Sequence, residues 1–218
     1  MTRKQIFIGL PILTVVALII ILPYFVKINR LEKLTAAMDI ENPTTLEFSH
    51  ALAAKFPGEY SIDQVCEIYA YLYKNWKYVS DPRGIDYFSK ASFTIENNLT
   101  GDCDDFAILM ATLIESIGGK TRINLAINSD TKTGHAFTEV YFQGNPEYLR
   151  ERIDYHFQNI FQVLFNISSV KTIYYTPDGI NGIWLNLDWS SKYPGGPYMN
   201  YIKRTIYYPM EGYFVSSN

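Results

Sequence analysis

Residues Ile6 to Val26 read IFIGLPILTVVALIIILPYFV, 21 residues without a charge. At a rise of about 1.5 Å per residue, such a run as a helix matches a hydrocarbon core of about 30 Å. It is predicted to be a transmembrane anchor. Pro11 and Pro23 lie near its ends, where a spanning helix tolerates them. A cleaved signal peptide has a shorter apolar region followed by small residues at a cleavage site. Here Lys27, Arg30 and Lys33 follow, and no cysteine stands after the run for lipid attachment. Basic residues nearly balance across the segment, with Arg3 and Lys4 before it. A short N-terminal tail that stays in the cytoplasm puts the remainder of the chain outside it. The expected organisation is an anchor over 1–28, a linker with short helices over 29–58, and one folded domain over 59–218.

That remainder is long enough for one sizeable core. The full chain of 218 residues is 48% hydrophobic and 19% charged, too apolar for disorder. Its formal net charge is −3 and no basic block exceeds three residues, which excludes an electrostatic nucleic-acid binder. Of 18 tyrosines, 11 follow residue 140, as suits half-buried sheet surface. Two cysteines cannot build a disulfide framework. Cys66 falls in the helical pattern Ile62, Val65, Cys66, Tyr69, Leu72, Trp76 and reads as a core thiol.

Helices are predicted over Thr44–Phe56 and from Ser61 to about Tyr78, the second opened by a Ser61/Gln64 capping box. A polar loop follows over about 81–101. The strongest helix runs from about Asp102 to Ile117, with one apolar face and Gly118-Gly119 as its stop. Strands are expected at 121–127, 135–142, 171–175, 183–189 and 201–208, with a helix at 147–165. Helices early and strands late predict an α+β fold.

Cys103 opens the strongest helix within Gly101-Asp102-Cys103-Asp104-Asp105. Unpaired N–H groups at a helix start stabilise a thiolate, and the Cys103 N–H can also face an oxyanion. The neighbouring carboxylates oppose the thiolate unless Asp102 caps the helix and Asp105 completes a capping box. A thiol nucleophile needs a base. His50 and His156 lie on predicted helices as ordinary histidines, whereas His135 stands at the mouth of a strand. Asp188, in the otherwise apolar WLNLDW, needs a partner, and the His135 ring would supply one.

These segments, GDCDDFAILMATLIESIGGKTRINLA, then GHAFTEVYF, then WLNLD, resemble the transglutaminase-like superfamily, and more broadly the papain-type core. The resemblance covers about residues 60–190. It implies an α+β core with N-terminal helices and an antiparallel sheet. It also implies Cys103 as nucleophile, His135 as base and acid, and Asp188 as the group that orients the imidazole. Phe137 stands where the family often has Trp. The family's second oxyanion donor comes from upstream, where Trp76 and Tyr78 are the candidates, though a core role suits both. Asp102 and Asp104 match positions that bind calcium in periplasmic members of the family. No Cys/His cluster has zinc spacing.

The implied activity is thiol acyl transfer on peptide, isopeptide or glutamine amide bonds of a protein or peptide substrate. Hydrolysis is preferred over cross-linking. Two other readings use the same residues: a catalytically silent, membrane-tethered binding domain, and a scaffold with the Tyr-rich C-terminal part as its interface.

Overall fold

The computed structural model describes residues 21–81, 87–158 and 169–217. The helix that begins at Cys103 organises them. It runs over Cys103–Glu115, and every residue from Asp104 to Ile114 is buried. The single apolar face expected of it is therefore exceeded, because the helix is packed on all sides. Phe106, Leu109, Met110, Leu113 and Ile114 join a core with the helix Ile62–Asn75. Ala107, Ile108 and Ala111 turn to the sheet, where small side chains allow close approach.

In chain order the helices are α1 (residues 21–37), α2 (Pro43–Ala53), α3 (Ile62–Asn75), α4 (Ala91–Glu96), α5 (Cys103–Glu115) and α6 (Pro146–His156). The strands are β1 (Lys77–Tyr78), β2 (Thr100–Gly101), β3 (Thr121–Asn128), β4 (Gly134–Gln143), β5 (Tyr175–Pro177), β6 (Gly182–Asn186), β7 (Tyr201–Tyr208) and β8 (Tyr213–Ser217). Strands β3 to β8 form one antiparallel sheet in the order β5-β6-β4-β3-β7-β8. A short parallel ladder joins β1 to β2 and sets Tyr78 opposite Gly101. The α+β class with helices and an antiparallel sheet is thus what the chain adopts.

Segment 29–58, expected as a linker with short helices, carries α2 and the end of α1 and packs against the rest of the chain. Leu31, Leu34 and Ala37 of α1, with Met38 just past its end, bury against Ala107, Ile108 and Ala111 of α5 and against Tyr207. Among the described residues no helix is long and apolar enough to cross a membrane. The expected span Ile6–Val26 lies outside them as far as residue 20.

Several expectations need correction. The loop predicted over 81–101 contains α4 and β2, with residues 82–86 outside the described part. The strand predicted at 171–175 begins only at Tyr175. Upstream, the Tyr174 N–H bonds to the Gly195 carbonyl, so a loop holds that edge. The helix predicted at 147–165 is described as far as His156, and 159–165 fall outside. Strand β8 was not expected. It returns from β7 through a turn in which Gly212 takes φ +74° and its N–H bonds to the Tyr208 carbonyl. The last strand before the Pro/Gly loop ends at Asn186, so Asp188 lies just past it.

The sheet is buried on both faces around β3 and β4. On the side away from α5, Glu139 is fully buried between Arg122 (2.7 Å) and Arg204 (3.1 Å). On the α5 side, the Thr138 hydroxyl donates to the Ala107 carbonyl at 2.6 Å and ties β4 to the helix.

Candidate active site

Cys103 is the first residue of α5, half-buried, with Asp102 as the N-cap. The expected capping box is present. The Asp104 N–H donates to Asp102 at 3.2 Å, and the Asp102 N–H donates to Asp105 at 3.3 Å. Asp105 also accepts from the Ser89 N–H at 2.9 Å. The Cys103 N–H takes no part in this capping set. Gly101 is required by contact rather than by backbone angle. A Cβ there would lie 2.4 Å from an Asp105 oxygen.

His135 is the second residue of β4. Its Nε2 lies 3.0 and 2.9 Å from the two carboxylate oxygens of Asp188. That leaves Nδ1 as the ring nitrogen for the Cys103 sulfur, with which the ring also hydrogen-bonds. Burial lowers the His135 pKa, but the Asp188 carboxylate and the Cys103 sulfur outweigh it and lift the ring to about 10. The three residues expected to act together are therefore adjacent. Phe137, at the departure from the family pattern, stacks on the His135 ring with centroids 6.1 Å apart.

Asp188 is 1% exposed and held from several directions. Its Oδ1 accepts from the Ser190 N–H at 2.8 Å, which opens a 3-10 turn over Trp189–Ser191. Its N–H donates to the Asn186 side chain at 3.0 Å. Its carbonyl accepts from the Tyr69 hydroxyl at 2.9 Å and from Ser191 Oγ at 2.6 Å. An Asx-type turn, rather than a strand, presents the carboxylate. Sequence reasoning did not find Tyr69 or Asn186, because both look like ordinary members of apolar runs.

The two oxyanion candidates part company. Trp76 ends α3 and packs edge-on against Phe106, centroids 5.1 Å apart, one turn along α5 from Cys103. Its indole N–H is buried without a hydrogen-bond partner among the described residues. Tyr78 is 50% exposed, contrary to the core role expected of it, and stacks on Trp189 at 5.5 Å.

A cavity of about 470 Å³ opens over the thiol. Asp102, Cys103, Asp104 and His135 line one side, with Ala126 and Lys203 on the sheet. Pro23, Val26, Lys27 and Arg30 of α1 line it as well. No signal in the sequence placed α1 beside Cys103.

The carboxylate oxygens of Asp102, Asp104 and Asp105 come within 4.8 Å of one another. Burial, reinforced by Asp102 and Asp105, pushes Asp104 up to about 10. A hard divalent cation would relieve that repulsion, so the charge of the site fits calcium. Three carboxylates supply fewer than the six to eight oxygens calcium takes, and water or backbone oxygens would complete the set.

A thiol at a helix start, an imidazole at a strand start and a buried carboxylate behind it form one Cys-His-Asp cluster. Residues 49–154 match the transglutaminase-like superfamily, and the chain carries the transglutaminase-like domain. The match holds Cys103 and His135, while Asp188 joins them through the fold. No curated protein matches the sequence. Among solved structures, a candidate cysteine protease from Cytophaga hutchinsonii is 17% identical, with a TM-score of 0.43. That match covers 79% of this chain and 47% of the other, so this chain spans about half the length of that relative. Legionella pneumophila LapG in its calcium-bound form is 16% identical, covering 73% of this chain and 82% of its own, TM-score 0.43. Its EGTA-treated form is 16% identical, covering 80% of each chain, TM-score 0.45.

Proposed function

We propose that this protein is a membrane-anchored thiol hydrolase of peptide, isopeptide or glutamine-side-chain amide bonds, with its catalytic domain outside the cytoplasm. The observation that carries the chemistry is the His135 ring, bonded through Nε2 to buried Asp188 and facing Cys103 with its other nitrogen. The anchor rests on the uncharged run Ile6–Val26.

In this reading the Cys103 proton already rests on His135 Nδ1, as an imidazolium paired with a thiolate, and the sulfur attacks the amide carbonyl. The Cys103 N–H, with Trp76 or Tyr78 as second donor, faces the developing oxyanion. His135 returns the proton to the departing amine, leaving a thioester on Cys103. Water, deprotonated by His135, then releases the acid and restores the thiolate–imidazolium pair. Asp188 keeps the Nε2–H tautomer and balances the imidazolium throughout. An amine in place of water would give a cross-link, with the same residues in the same roles.

The acidic trio is proposed to hold calcium, which would stiffen the start of α5. Melting temperature measured with calcium and with EGTA tests this. Calcium is expected to raise it, and the rise is expected to vanish in Asp104→Asn.

The chemistry is tested by iodoacetamide labelling of the full chain in detergent across pH, in wild type, His135→Ala and Asp188→Asn. Rapid labelling of Cys103 below about pH 7, lost in His135→Ala, is the expected result. Labelling that rises only near about pH 8.5 in all three would show an ordinary thiol and leave a silent binding domain.

A further inference from the structure

We infer that the catalytic cleft opens at the lipid surface and acts on polypeptide segments held against the membrane. This rests on the proposed anchor and on three features of α1.

The first is where the apolar run stops. Val26 is its last residue and Lys27 the first charge after it, and both line the cavity that holds Cys103 and His135. The boundary between lipid-compatible and water-compatible sequence thus falls within the cleft wall. The cleft residues of α1 run from Pro23 to Arg30. At about 1.5 Å per residue that is roughly 10 Å of helix, with the boundary near its middle.

The second is exposure around the whole helix. Ile21, Leu22, Tyr24, Phe25 and Val26 are 48%, 63%, 57%, 61% and 48% exposed. A helix bathed in water on one side shows a polar face there. This turn has none, whereas further along the same helix Leu31, Leu34 and Ala37 are buried. An apolar medium suits the start of α1 and protein suits its end.

The third is rigidity. Leu31, Leu34 and Ala37 fasten α1 into the core beside α5. The Lys27 ammonium donates to Ser216 Oγ at 2.7 Å, and the Tyr24 ring meets Phe214 at 5.6 Å. The cleft wall is therefore carried by the body of the domain. Lys27, Arg30 and Lys203 stand around the same cavity. Cations at that level suit anionic headgroups. A bond must come to this level to be cut, which favours the juxtamembrane stretch of a lipid- or helix-anchored polypeptide.

Location is tested without relying on catalysis. In full-length Cys103→Ser protein, Gly134→Cys puts a thiol on the cleft rim, where a Cβ meets nothing within 4 Å. Tyr148→Cys puts one on exposed α6. Each is labelled with bimane and reconstituted in phosphatidylcholine/phosphatidylglycerol vesicles containing lipid brominated near the headgroup. The label at position 134 is expected to lose most of its emission and that at 148 little. Equal quenching at the two positions, or none at 134, overturns the inference. For the substrate, wild-type protein is given one reporter peptide coupled to lipid through a short spacer and the same peptide free. Faster cleavage of the tethered form is expected, and equal rates overturn the substrate assignment. Cleavage of neither would count against the thiol chemistry, while the quenching still reads where the cleft lies.

Discussion

At the scale of residues, His135 carries the most testable charge. Its pKa is raised from 6.5 to about 10 in the folded protein. Between those values the native state holds a proton that the unfolded chain releases. Stability from this group is complete below about pH 6.5 and is lost as pH rises toward about 10. Urea midpoints measured across that window are expected to fall more steeply in wild type than in His135→Gln, by up to one proton per molecule. The carboxylate behind the ring is equally exposed to test. In Asp188→Asn the acceptor for Nε2–H becomes an amide and the tautomer is no longer held. Turnover is expected to fall by up to roughly 10⁴-fold with the fold intact. Tyr69 acts one step further back, through its hydroxyl on the Asp188 carbonyl. Tyr69→Phe is expected to lose about 1 kcal/mol of stability. It should also lower kcat with little change in KM, which steady-state kinetics separates from a purely structural effect.

At the scale of elements, the start of α5 depends on a glycine outside the helix. Gly101→Ala would push against Asp105 and disturb the reciprocal cap with Asp102. Loss of such a cap costs about 1 kcal/mol. The expected outcome is a lower melting temperature together with slower thiol labelling, since the same displacement moves Cys103. Elements whose signals are local were legible in the amino-acid sequence. The capping boxes of α3 and α5 and the strands β3 and β4 follow from neighbouring residues. Cys103 and His135 were legible because each stands at the edge of such an element. Asp188 was recognised as a residue but misplaced as to element, because the apolar WLN before it masks the Asx turn at Asn186 and Asp188. The edges were less legible, since tertiary hydrogen bonds decide them. Segment 171–174 reads as strand, but at its end Tyr174 bonds both to Gly195 in a loop and to Asn186 at the end of β6, while β8 depends on its hairpin partner. The place of α1 beside the thiol is a matter of packing over some seventy residues of separation, which no periodicity reports.

At the scale of the whole molecule, the sheet has different work on its two faces. One face supports α5 and Cys103. The other buries Glu139 between two arginines that are themselves 5% exposed. Removing the charge from Glu139 would leave both guanidinium groups without their shared counter-ion. Glu139→Gln is expected to lose about 3–5 kcal/mol, measured by chemical denaturation. The cost should fall on the entire fold, because β3, β4 and β7 all contribute to the cluster.

Strand order also bears on how such a chain can diverge. His135 and Asp188 are 53 residues apart in sequence, yet they come from the ends of neighbouring strands β4 and β6. Between Gln143 of β4 and Tyr175 of β5 the chain makes an excursion that includes α6, and it returns as β5 on the far side of β6, the strand that pairs with β4. Length added or removed in that excursion would leave the two ends in register. Natural variation, or a deliberate graft, can therefore remodel this excursion while the pair that sets the proton chemistry stays in place.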